Sequence, residues 1–438
     1  KAAALLAAML LIHGAFIQPA EAAGEVVWHN TIANGSTSND NIAHGIGAEA
    51  KGTNSIAWGI STKASADGGG AALAWGSTSQ ANGRGAIALG GDSGSKATGV
   101  DAVAIGGTAT ATGSAAMAFG ALASATANGA LAMQQQAEAA GSYSTAIGYR
   151  AKATNWYSVA LGGTTSSRAE ASGQSSIALG GRTTASGEGS TAIGVGGEAT
   201  GRNSLAMGTH AISSVNKAVA SGDASISIGH NSIAAGDASM ALGIQSQALN
   251  RYSFAANGGI VEANASGTPG GIAMGIGAKV TGVGAFALST NSTGGWSQSG
   301  SDFSWNAGST TLASGNGAIA MGDSTTASGD GAIAMGQGST ASGLNSTVVG
   351  HGTASGLNSM VMGSGTASGN TSTAVRGTAS GDGSIALQGT ASGDASIALG
   401  GTSAGKYSLA AAGATTETAA ENAFAVGMGA KASLADSV

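Results

Sequence analysis

A short motif of bulky apolar residue, Ala, bulky apolar residue and Gly returns along this chain at a fixed interval, and nothing else limits the fold as tightly. The clearest copies are Gly317-Ala318-Ile319-Ala320-Met321-Gly322 and Gly331-Ala332-Ile333-Ala334-Met335-Gly336, so that Ile319 and Ile333 stand 14 residues apart. Alternation with period two is the signature of a strand with one buried face. The intervening Asp323-Ser324-Thr325-Thr326-Ala327-Ser328-Gly329-Asp330 reads as a return path to the next copy.

The first bulky position recurs from Ile42 to Val438, and 14 of its 26 steps are 14 residues long. A fixed period of this kind predicts a solenoid, here an all-β one. The 21-residue step from Leu205 to Ile226 is one and a half periods, which predicts that each coil consists of two halves, each with one strand and one turn. The two bulky positions of each motif are expected to form buried ladders, represented by Ile56, Trp58, Ile177, Leu179, Ile319, Met321, Ile333 and Met335. Trp58 and Trp75, at the same position in consecutive coils, are expected to stack in that core. The second half of many coils reads Ala-x-Ala-x-Gly, as at Ala48-Glu49-Ala50-Lys51-Gly52; its small residues are expected to let the two strands of a coil sit close, and the outer faces of the roll are expected to be flat and Ala-rich.

Composition supports a thin repetitive structure. Gly accounts for 78 of 438 residues and charged residues for 9%, against roughly a quarter in ordinary globular chains. Disorder usually accompanies high net charge, whereas here the net charge is −6 and the apolar residues keep their schedule. No basic cluster marks a nucleic-acid footprint. The absence of Cys excludes disulfides and thiolate metal sites.

Departures from the period divide the chain. Residues 1–23 combine Lys1, the apolar run Ala2–Ile12 and the small-x-small site Ala20-Glu21-Ala22. This is the layout of a partial secretory signal peptide cut at Ala22 or Ala23, with an amphipathic helix as the competing reading. Residues 24–40 form a lead-in, 41–289 and 312–438 carry the repeats, and 290–311 form an inserted loop with Trp296, Phe303 and Trp305. Those aromatics are candidate ligand contacts, or else they cover the roll. Beyond Thr347 the period shortens to 13 and then 12, with Gly-Thr-Ala-Ser-Gly repeated at 352–356, 365–369, 377–381 and 389–393. Both chain ends read as truncations, since there is no initiator Met and Val438 opens another motif.

Ser-Ile-Ala-Leu-Gly at 176–180 and 396–400, alternating with Ala-x-Ala-x-Gly, resembles the head repeat of YadA-like trimeric autotransporter adhesins. The resemblance runs from about Asn41 to Val438. It implies a left-handed parallel β-roll of about 14-residue coils that associates into a homotrimer. It also implies a secreted protein of the bacterial cell surface and outer membrane, attaching to host matrix, cells or abiotic surfaces in virulence. The family's neck, coiled-coil stalk and C-terminal membrane anchor have no counterpart in these residues. At about 4.8 Å per coil, some 27 coils would make a rod on the order of 130 Å.

Chemistry is sparse. The six histidines include no pair at metal-ligand spacing, so neither metal nor cofactor is expected. Gly91-Asp92-Ser93-Gly94-Ser95 has the look of a nucleophile loop without a partner His, and the Asp residues after Ser-Gly fit turn capping better than calcium ligation. The expected function is non-enzymatic adhesion. An ice- or crystal-binding solenoid is the alternative, motivated by the Thr-Ala-Ser rows.

Overall fold

The computed structural model describes residues 28–29, 41–66, 69–165, 167–208, 217–263, 270–289, 295–299, 302–306 and 310–438. The signal peptide with Ala22 and Ala23, and most of the lead-in, lie outside the described residues. No described residue is helical. The chain forms a parallel β-solenoid divided into two compact units, Lys1–Asn203 and Ser204–Val438.

Each coil places one strand in each of two sheets. In the first unit, Ile56–Trp58 pairs in parallel with Leu73–Trp75, residue for residue, and that register continues through Ile87–Leu89 and Val103–Ile105. Its companions in the second sheet are shorter, such as Lys63–Ser65, Gln80–Ala81 and Lys96–Ala97. The second unit repeats the plan: Ile319–Met321, Ile333–Met335 and Thr347–Val349 pair in one sheet, and Thr326–Ala327, Thr340–Ala341 and Thr353–Ala354 in the other. The two-halves expectation is therefore right, but the step that suggested it is not a half coil. Leu205 pairs directly with Ile226, so the seven extra residues belong to a single longer coil.

The core inverts the expected ladders. The middle residue of each first-sheet strand points inward, and Ala57, Ala74, Ala88, Ala178, Ala320 and Ala334 are all fully buried. Facing them are the alanines of the second sheet, including Ala64, Ala81, Ala185, Ala327 and Ala341. Ile56, Trp58, Ile177, Leu179, Ile319, Met321 and Ile333 flank those alanines on the opposite side of the strand and are only half-buried, while Met335 is exposed. The reason is geometric. A first-sheet strand has one inward position, a second-sheet strand such as Ala218–Ala220 has at most two, and the gap between the sheets is filled mainly by methyl groups. The bulky pair on either side of that position must share the outer face. The largest side chains that the interior accepts are Val261, Val280, Val348 and Val361. Glycine makes room for them: a Cβ on Gly271 would meet Val261 and Val280 at 2.9 and 3.0 Å, and one on Gly352 would meet Val361 at 2.7 Å.

Buried hydroxyls complete the interior. Ser176, Ser359 and Ser372 donate to the carbonyl three residues earlier at 2.7, 2.7 and 2.6 Å, which closes the turn into the first-sheet strand. Where Ser replaces a core Ala, a second hydroxyl partners it: Ser227 lies 2.7 Å from Ser232, and Ser403 lies 2.7 Å from Ser408. This meets the requirement that a buried polar group find a partner. Val438 is fully exposed and starts no strand.

Candidate functional site: the outer faces of the roll

Three outer surfaces follow from this architecture. The first is the outer face of the first sheet, where the two bulky positions of each motif stack into two apolar rows. Its first-unit portion opens with His44, Trp58 and Trp75, whose rings stack at 4.3 and 5.3 Å with interplanar angles of 28° and 12°. The expected Trp58–Trp75 stack thus exists, but outside the core, and Trp75 is 53% exposed. In the second unit, Met360, Met362, Ile385, Leu387, Leu399, Phe424 and Val426 are all exposed on the same side. Contiguous apolar surface on this scale is rare on a soluble monomer and marks a contact face.

The outer face of the second sheet is polar at both ends of its row and carries Val219, Ile233, Ile260 and Leu312 between them. In the first unit it carries charge pairs between adjacent coils, such as Glu138–Lys152 at 3.3 Å, with Glu49 bonded to Lys51 at 2.9 Å. That bond, and then the charges of Lys51 and Lys63, hold the Glu49 carboxyl below its usual range. From residue 326 of the second unit the same row becomes Thr326, Thr340, Thr353, Thr366, Thr378, Thr390, Thr402 and Thr415. Glu417 then pairs with Lys431, and hydrogen bonds from Lys431 and Ser433 lower its carboxyl pKa.

The third surface is the line of turns leading into the first sheet. Successive coils are tied there by backbone bonds, with Tyr143 N–H donating to Asn128, Tyr157 to Ser142 and Ser175 to Trp156 at 2.8, 3.0 and 2.8 Å. The tied residue adopts a left-handed backbone, with φ of 57°, 56° and 54° at Tyr143, Tyr157 and Ser175. Asn, Ala or Ser fills this position in many other coils. In two adjacent coils it is Tyr, and the rings stack at 5.4 Å and 7°. The sequence reading passed over this pair, whose signal is an aromatic at a turn position that favours small or Asn side chains.

The insert contains two antiparallel strands, Gly295–Ser299 and Asp302–Asn306, with Trp296 opposite Trp305 and Phe303 opposite Gln298. The side chains of this hairpin lie outside the described residues. Thr311, given to the insert by the sequence, already pairs within the second sheet. A cavity of about 620 Å³, lined by Ile244, Ile260, Ile276 and Lys279 among others, reaches Thr310. Among the described residues no group of three His, Asp or Glu side chains converges as a metal site, and no helix is long and apolar enough to cross a membrane.

A family model for the YadA head domain repeat matches the chain in overlapping windows at 50–93, 97–123, 139–165, 171–196, 199–255 and 313–353, together just over half of its length. The chain belongs to the YadA head family. No curated protein matches it. As a YadA head it is an adhesin-type protein exposed on the bacterial surface. The matched windows include both the 14-residue coils with apolar outer rows and the Tyr143–Tyr157 turns.

Proposed function

We propose that this chain is the projecting head of a homotrimeric adhesin, joined through the apolar outer face of the first sheet and anchored to the outer membrane by parts beyond these residues. The observation that carries the reading is the pair of exposed apolar rows. Fully burying one such side chain stabilises by roughly 1.5–3 kcal/mol, and the rows offer two candidates per coil. Self-association of identical copies supplies a matching surface for every coil at once, because the register of one copy is the register of the next. Adhesion rather than catalysis is then the work of the remaining surfaces, with host matrix, cells or abiotic surfaces as targets. The hairpin carrying Trp296, Phe303 and Trp305 is one candidate contact. The family match gives no support to ice binding.

Sedimentation equilibrium of the chain tests the assembly, with three times the chain mass expected. Replacing Ile385 and Leu387, which are 41% and 43% exposed, by Asp should shift the mass towards the monomer without changing the circular dichroism. A monomeric parent chain would sink the trimer. Beads coated with the chain should adhere to cells or matrix. Trp296→Ala combined with Trp305→Ala should lower that adherence, and an unchanged level would remove the hairpin from the contact surface.

A further inference from the structure

We propose that Tyr143, Trp156 and Tyr157 form a binding platform for a neutral oligosaccharide, one of whose pyranose rings stacks on the uncovered face of Tyr157. The three side chains are 60%, 60% and 54% exposed, so no burial offsets placing bulky rings in a left-handed turn. Local backbone cost without a packing return points to a role outside the fold.

The order of the stack leaves one face open. A Cβ on Gly129 would lie 2.7 Å from the Tyr143 ring, so that ring covers the glycine of the preceding coil. Tyr157 stacks on Tyr143 from the other side. The next residue along the row is Ser175, too small to cover the far face of Tyr157. Trp156 stands beside it, its N–H held by the Asn155 side chain at 2.9 Å, while the Asn155 amide donates to Ser172 of the following coil at 3.1 Å. The platform is therefore held by backbone and side-chain bonds before any ligand arrives.

Two other tyrosines show that the arrangement is particular to this place. Tyr252 and Tyr407 occupy equivalent turns with φ of 53° and 54°, but a cation from the preceding residue lies over each ring, Arg251 at 5.7 Å and Lys406 at 4.9 Å. In the row of turns around Tyr157 the corresponding pairs are Asn128-Gly129, Ser142-Tyr143, Trp156-Tyr157 and Gln174-Ser175, and none of these residues is a cation. The next turn holds Glu188, which disfavours phosphates, sulfates and sialic acids. What remains is a flat C–H face flanked by hydroxyls, matched to an aromatic face rimmed by the exposed Gln174 amide and Ser175 hydroxyl.

The inference rests on the adhesin reading and gives that reading a ligand class. The test is titration calorimetry of the assembled chain against neutral oligosaccharides of glucose, galactose and N-acetylglucosamine, with sialyllactose and a single-stranded oligonucleotide as charged probes. Two variants borrow residues that the next coil already holds in the same turn, Tyr157→Ser and Trp156→Gln, so neither endangers the fold. At least one neutral sugar should bind, each variant should weaken it by about tenfold or more, and Tyr157→Phe should bind like the parent. Absence of neutral-sugar binding, binding of the charged probes alone, or equal affinity in Tyr157→Ser overturns the platform. Adherence of coated beads is scored in parallel: beads that adhere with no sugar bound defeat the platform alone, and beads that fail to adhere defeat the adhesin reading whatever the sugar titration gives.

Discussion

The 14-residue coil that begins at Ile333 and the 12-residue coil that begins at Ile385 stand in the same unit and share both sheets, yet they differ at only one of their two turns. In the longer coil Gly336-Gln337-Gly338-Ser339 joins the first-sheet strand to the second; in the shorter, Gln388-Gly389 does the same work. The opposite turn keeps five residues in both, Ser342–Ser346 and Ser392–Ser396. Loss of the buried Ser339 is matched by glycines that touch through their backbones, since a Cβ on Gly389 would lie 2.4 Å from the Gly401 carbonyl oxygen. The retained turn holds what cannot be shortened: the backbone bond that closes it, from Ser346 N–H to Gly343 and from Ser396 N–H to Gly393 at 3.1 and 3.2 Å, and a ladder in which Asn370 N–H donates to Asp382 at 2.8 Å and Asp382 N–H to Asp394 at 3.1 Å. The lesson is that one turn sets coil-to-coil registration while the other sets only the length of the path.

The largest break in this comparison comes from moving the deletion to the other turn. Removing Asp394 and Ala395 should unpair the coils that follow, losing strand signal in circular dichroism, whereas inserting Gly-Ser after Gln388 should leave the melting temperature within a few degrees. Equal damage from both changes would mean that the turns are equivalent. A smaller contrast comes from single glycines. A Cβ on Gly393 would stand 2.2 Å from the Gly405 carbonyl, so Gly393→Ala should cost about 3 kcal/mol or more in denaturant unfolding. Gly400, at φ 69° with open space around it, should accept Asn within about 0.5 kcal/mol.

The smallest effect separates the charged rows from the Thr row. Glu417 has a lowered pKa in the folded chain, so its contribution is present above the ordinary carboxylate range and disappears as pH falls through the depressed folded value. Glu417→Gln should flatten the acid limb of the melting curve slightly. Thr378→Val, within the short coils, should leave that limb unchanged. An acid limb identical in Glu417→Gln and the parent would assign the ion pair no linkage.

Period, strand positions and family were legible because they depend on repetition, which a single sequence displays in full. The direction of the side chains was not. Alternation shows that one face of a strand is apolar and leaves open whether the Ala face or the Ile and Met face is inside. In most proteins the larger residues go inward, which is what the alternation predicts for Ile319 and Met321. Here the distance between the sheets decides, and that distance is a property of the closed coil rather than of any strand in it. A clue lies in Val361, since an interior built for Met would have no need of Gly352 beside it. The Tyr143–Tyr157 pair was hidden for a different reason: the 14-residue separation is visible, but the left-handed turn that makes a tyrosine unusual there emerges only from the backbone.

At the leading end, Trp28–His29 lies against Ala43 and His44 in the antiparallel sense, the reverse of the coil-to-coil pairing within the roll. A run of parallel coils presents at its first strand a template that the last coil of any other molecule could extend. The reversed strand occupies that template with the wrong polarity for propagation. Lengthening a molecule by adding repeats in its interior and preventing separate molecules from joining head to tail therefore become independent problems, and two residues of backbone are enough to address the second at this end.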